Sequence, residues 1–163
     1  MSGSAAELNA FESTVEQFGP RRGSSARAIL VGLDGSDTAM RAAAFAFGMV
    51  RRQGGRLIIA YVASHSALTA IGPAEAAVVE HDTIVKLYGE LREQIRAGAE
   101  ELAVPVTLLK TFGDPFTTLR DAADRCHVDT VVVGASQKAG HRFAGSVATR
   151  LIRVGHWPVL VVP

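Results

Sequence analysis

The sequence predicts an α/β fold in which a parallel sheet carries helices on both faces. Three observations carry the prediction. Short apolar runs recur at Ala28-Ile29-Leu30-Val31, Leu57 to Val62, Val106 to Thr111, Thr130 to Val133 and Pro158 to Val162. Runs that short and that uniformly apolar read as strands buried on both sides. Between them lie longer segments whose apolar residues fall at helical spacing. Strand and helix alternate four times before a final strand, the order of a parallel sheet with right-handed crossovers.

The elements follow in order. In the first 26 residues Leu8, Phe11, Val15 and Phe18 recur at helical spacing, so residues 7–18 are expected as an amphipathic helix or a disordered tail. Gly19 to Ser25 reads as a flexible linker. The domain proper is expected over 27–163. After the first buried run, Asp34-Gly35-Ser36-Asp37 forms a turn in which Ser36 or Asp37 can cap a helix from about Thr38 to Gln53, stopped by Gly54-Gly55. A looser segment leads to Pro73, which suits the first turn of a long helix. Its apolar stripe is Ile84, Tyr88, Leu91, Ile95 and Leu102. Asp114 and Pro115 are a cap and first helical residue, and Phe116, Leu119, Ala123 and Cys126 line that helix's inner face. Gly145-Ser146 opens a last helix through Val154.

Composition narrows the function. The chain has 163 residues, 48% hydrophobic and 20% charged, enough for one domain with a sizeable core. A net charge of +1 lacks the concentrated basic face of a nucleic-acid binder, so no nucleic-acid partner is expected. A single cysteine, Cys126, allows no internal disulfide and fits a reducing compartment. No apolar stretch is long enough for a membrane helix, and the opening residues lack a basic, apolar leader. The expectation is a cytoplasmic protein that does not engage a membrane.

In open parallel sheets ligands bind beyond the carboxyl ends of the strands, where the strand order reverses. Two segments there draw attention. Asp34 follows the first strand. It can accept hydrogen bonds from a ribose, or it can simply help cap the next helix. The loop from Gly134 to Val147 contains three glycines, Lys138, His141, Arg142 and two serines ahead of a helix. Such a loop can cradle a phosphate with backbone amides, or it can be a surface loop with a serine cap. No dinucleotide glycine fingerprint is present. Gly140 to Ser146 has Walker-like spacing without its lysine. The five histidines, 65, 81, 127, 141 and 156, form no metal-ligand spacing. There is no G-x-S-x-G elbow, so no catalytic or metal residues are assigned.

The Asp-Gly-Ser turn within VGLDGSDTAMRAAAFA, the Gly-Asp-Pro turn at 113–115, the 134–147 loop and the terminal HWPVLVVP together resemble the universal stress proteins, over Arg27 to Pro163. That resemblance implies a Rossmann-like or flavodoxin-like three-layer sandwich with five parallel strands ordered 3-2-1-4-5. It implies a homodimer paired through the last strand, Val159 to Val162. Its nucleotide-binding members carry G-x2-G-x9-G-[S/T] after the fourth strand. Here Gly134 and Gly145-Ser146 match, Gln137 replaces the middle glycine, and Gly145 lies 11 positions after Gly134 where the pattern needs 13. Carried over by position, Val62, Val133 and Gly134 flank the base, Asp34 meets the ribose, and Gly145, Ser146 and Val147 meet the phosphates. Lys138, His141 and Arg142 are secondary candidates by charge alone.

Three readings follow. The first is a dimeric stress-response protein without catalysis of its own, its nucleotide loop degenerate. The second is a binding module for ATP, AMP, cyclic AMP or another adenine nucleotide. The third is a nucleotide hydrolase of the same superfamily.

Overall fold

The computed structural model describes residues 13–21, 27–63, 74–136 and 145–163, with the backbone alone over 74–84. Six strands form one sheet: β1 (Thr14–Phe18), β2 (Ala28–Leu33), β3 (Arg56–Ala63), β4 (Val106–Phe112), β5 (Thr130–Gly134) and β6 (Val159–Val162). Among the described residues the helices are α1 (Asp37–Gln53), α2 (Ala74–Glu101), α3 (Pro115–Cys126) and α4 (Ser146–Val154). The sheet order is β1-β4-β3-β2-β5-β6. The five-stranded, all-parallel expectation is therefore corrected to six strands, of which β1 runs antiparallel to β4 with Thr14 opposite Lys110 and Phe18 opposite Val106.

The second correction concerns β1 itself. Helical spacing predicted a helix through residue 18, but residues 14–18 are a strand. The edge of β4 offers five residues of backbone pairing, and tertiary pairing overrides a weak local period. Side chains fix the strand in place. Arg92 on α2 makes an ion pair and hydrogen bonds with Glu16, and its guanidinium lies 5.4 Å from the centre of the Phe18 ring. The part of the predicted helix before Ser13 lies outside the described residues.

The central strands β2, β3 and β5 are buried on both faces, and side chains along the sheet divide by parity. Ile29, Val31, Leu57, Ile59, Leu108 and Val132 face α1 and α2 in one cluster. Ala28, Leu30, Ile58, Ala60, Val131 and Val133 face α3 and α4 in the other. Alternation along each strand makes these two cores and hence the three layers. Cys126, expected on the inner face of α3, is half-buried at its margin. No helix among the described residues is long and apolar enough to cross a membrane.

Candidate functional site

The strand order reverses between β2 and β5, since β2 leads to β3 on one side and has β5 on the other. Here the N-termini of α1, α3 and α4 converge. The turn after β2 positions the first polar groups. Gly35 takes φ +84°, a backbone state that disfavours a side chain. The Asp34 carboxylate accepts the Ser36 N–H at 2.9 Å. Ser36, not Asp37, is the cap of α1: its Oγ accepts the Ala39 N–H at 3.2 Å and shares a hydrogen bond with the Thr38 hydroxyl at 3.2 Å. Asp34 stays exposed beyond this turn, with lone pairs to spare. Its charge and, more strongly, burial push the Tyr61 hydroxyl above its usual pKa.

Three glycines shape the space between the helices. Gly134 ends β5 against the first turn of α1. A Cβ there would stand 2.6 Å from the Ala39 nitrogen and 2.6 Å from the Thr38 carbonyl carbon. Gly32 faces α3, where a Cβ would stand 2.9 Å from the Leu119 Cδ1. Gly145 meets Ser136, whose Cβ would be 2.9 Å from its own, so the two ends of the segment 137–144 close on each other. Gly145 also occupies the cap position of α4 with no side-chain hydrogen bond, which corrects Ser146 as a capping residue: Ser146 is the first helical residue. Without a side-chain acceptor, the first-turn amides of α4 are available to an outside one.

The result is a cleft of about 460 Å3, within the roughly 300–1,000 Å3 of small-molecule sites. All seven primary candidates line it: Asp34, Val62, Val133, Gly134, Gly145, Ser146 and Val147. The secondary candidates Lys138, His141 and Arg142, together with Gln137 and Gly140, lie outside the described residues. Sequence reasoning missed Gly32, Thr38, Pro115 and Ser136 as lining groups. Gly32 and Ser136 had a usable signal, since each sits at the carboxyl end of a central strand. Pro115 had none beyond its role as a helix start.

Chemically the cleft is an apolar slot with a polar rim. Val62 and Val133 wall it, Leu119 floors it, and hydroxyls of Ser36, Thr38, Ser136 and Ser146 lie around the lining. Asp34 is the only ionisable side chain among the described lining residues. Such a slot can take a flat apolar ring between valines, with hydroxyl donors at Asp34 and an anion at the α4 N-terminus. No group of three or more His, Cys, Asp and Glu that could hold a metal ion occurs among the described residues.

Comparison with known proteins identifies the fold and the family. A universal stress protein of Methanocaldococcus jannaschii is 30% identical over 137 residues, covering 82% of this chain and 80% of that one. A universal stress protein solved in complex with cAMP superposes with a TM-score of 0.60 at 24% identity, covering 84% of this chain and 96% of the other. One from Archaeoglobus fulgidus in complex with dAMP gives a TM-score of 0.54 at 22% identity, covering 84% and 98%. The profile of the universal stress protein family matches residues 25–163. The chain belongs to the universal stress protein family.

Proposed function

We propose that the chain is a non-catalytic regulatory module whose cleft binds an adenine nucleotide. The observation that carries this reading is that the cleft is formed with Gln137 in place of the family's glycine and the loop two residues short. Its described walls come from strand ends and helix starts, among them the two ends of the altered loop at Gly134 to Ser136 and Gly145 to Val147. In this reading Val62 and Val133 hold the base, Asp34 accepts from the ribose hydroxyls, and amides at Gly145 to Val147 meet phosphate. The neighbours solved with cAMP and dAMP support an adenine ligand. Residues 27–163 are the binding domain and residues 1–26 an extension. No hydrolytic step is assigned, because nothing among the described lining residues pairs a nucleophile with a base.

The test is calorimetric titration of adenosine, AMP, cyclic AMP and ATP into the nucleotide-free protein and into Asp34→Ala. Losing charge-assisted hydrogen bonds to a ribose weakens binding by about tenfold or more. Asp34 is exposed, so the melting temperature should hold. No binding of any of the four by the wild type would remove the reading.

A second reading, compatible with the first, is a homodimer through β6. All four β6 residues are half-buried, the strand has one open edge, and Ile152 on neighbouring α4 is 52% exposed. Pairing two copies would remove that edge. Leu160→Lys should shift the sedimentation coefficient toward the monomer; an unchanged value would rule out this interface.

A further inference from the structure

The cleft lining offers an anion no cationic side chain among the described residues, yet one stands just outside it. Arg150 lies one helical turn after Ser146 on α4, on the same face of that helix. Its guanidinium stacks on Phe116, 3.9 Å from the ring centre, and its Nη1 is 3.5 Å from Asp114 Oδ1. Asp114 immediately precedes Pro115, as Ser146 follows Gly145, and both Pro115 and Ser146 line the cleft. Arg150 therefore bridges the two helix starts that form one side of the cleft mouth.

Its hold on Asp114 is weak. Asp114 spends Oδ2 on the Thr117 N–H and the Thr117 hydroxyl, both at 2.8 Å. The contact from Oδ1 to Arg150 is longer than a good charge-assisted bond, and both side chains are 50% exposed. Stacking on Phe116 fixes the guanidinium plane while its N–H edge stays free to turn. Arg120 lies over the same ring at 5.7 Å but is paired with Asp121 at 2.8 Å, so Arg150 is the less committed cation.

We infer that Arg150 is a specificity residue for the phosphate chain: it leaves Asp114 for the distal phosphates of a ligand whose first phosphate sits at the α4 N-terminus, so the cleft discriminates polyphosphates from monophosphates. The inference rests on the nucleotide reading above for its ligand. Arg150 contributes a bidentate fork to the chain beyond the first phosphate. Asp114 competes for that fork and sets the threshold of charge needed to draw it away.

Calorimetric titration of adenosine, AMP, ATP and inorganic tripolyphosphate into wild type, Arg150→Gln, Arg150→Lys and Asp114→Asn tests this. Arg150→Gln should weaken ATP and tripolyphosphate by about tenfold or more while adenosine and AMP change by less than about twofold. Arg150→Lys should fall between, keeping charge and losing the fork. Asp114→Asn, which keeps an oxygen for Thr117, should strengthen ATP several-fold, roughly the release of one exposed ion pair. Opposite signs from two partners of one contact are not what a merely structural role gives. Equal ATP affinity in wild type and Arg150→Gln, or weakening in both variants, overturns the inference. Tripolyphosphate binding that Arg150→Gln loses, with no binding of adenosine, AMP or ATP, would remove the nucleotide reading and keep the subsite. No binding of ATP or tripolyphosphate by the wild type would refute the subsite, and adenosine and AMP would then decide the nucleotide reading alone.

Discussion

The two ends of the sheet use the same residue types to opposite effect. At the amino end, backbone closes on backbone. Arg56 N–H donates to the Arg27 carbonyl at 2.8 Å, Leu57 N–H to the Pro105 carbonyl at 2.8 Å, and Asp129 N–H to the Ala28 carbonyl at 2.8 Å. Ala28 N–H donates to the Asp129 carboxylate at 2.7 Å, and the Arg56 guanidinium to the Cys126 carbonyl at 2.8 Å. Gly55 lets the β3 entry lie on the Arg27 carbonyl, which an added Cβ would overlap. At the carboxyl end the strands stop against three helix starts, and Asp34, half-free after bonding Ser36, faces a cleft. An aspartate and a glycine at each end are thus a closing device at one and part of an opening at the other. The difference is whether the neighbouring polar backbone finds its partner inside the chain.

Gly134 breaks the simple version of that comparison, and its substitution has the largest expected effect. It belongs to the nucleotide pattern, yet it does at the carboxyl end what Gly55 does at the amino end. A Cβ at 2.6 Å from α1 backbone has no flexible neighbour to displace. Gly134→Val should cost about 3 kcal/mol or more in urea unfolding, as overpacking against fixed backbone does. Gly32→Ala should cost about 1 kcal/mol or less, because the atom it meets is the end of the Leu119 side chain, and should instead narrow the cleft and weaken ligand. If Gly134→Val kept wild-type stability and lost only binding, Gly134 would be a ligand residue rather than a packing one.

The same contrast explains what the sequence made legible. The buried runs, the turn at Asp34 to Ser36 and the Asp114-Pro115 helix start follow from local pattern, because each depends on neighbours close in the chain, whereas the seven cleft residues came by position from the family resemblance. β1 did not, because Val15 and Phe18 are spaced for a helix, whereas the strand puts them on opposite faces, Phe18 half-buried and Val15 66% exposed. Only the distant Lys110 to Val106 edge and Arg92 decide between them. Leu119 and Ala39 joined the cleft through the crossovers, which no spacing reveals. The meaning of Gly134 was also hidden: a motif match and a packing requirement look identical until the opposing backbone is in place.

Asp129 gives a middle-sized effect that sharpens the comparison. Its carboxylate closes the start of β2 by accepting the Ala28 N–H, and Ala28 is fully buried. Asp129→Ala leaves that donor without its partner and should cost about 1–3 kcal/mol. Nucleotide affinity should hold, since the site lies at the other end of the strands. Asp34→Ala should give the reverse pattern, weakened affinity with stability held. Measuring both quantities on both variants separates the two ends, and a variant that moved both equally would show that they are coupled.

The smallest expected effect is at the cleft mouth, and its handle is acid. The Asp114 carboxyl titrates below its usual range, held there first by the Thr117 N–H, then by the Thr117 hydroxyl, with Arg150 adding. A depressed folded pKa means the stabilisation is fully present above the unfolded pKa and is lost as pH falls through the folded one. For a half-exposed cap this amounts to about 1 kcal/mol at most, developing below about pH 4. Amide exchange should therefore rise in the first turn of α3 as acid is added, while the bonded amino end at Ala28 and Asp129 holds. Asp114→Asn should flatten that response, because no proton remains to be taken up there. A first turn whose exchange tracked Ala28 through the same pH range would mean that the mouth opens only with the whole domain, and that the cleft has no local acid sensitivity of its own.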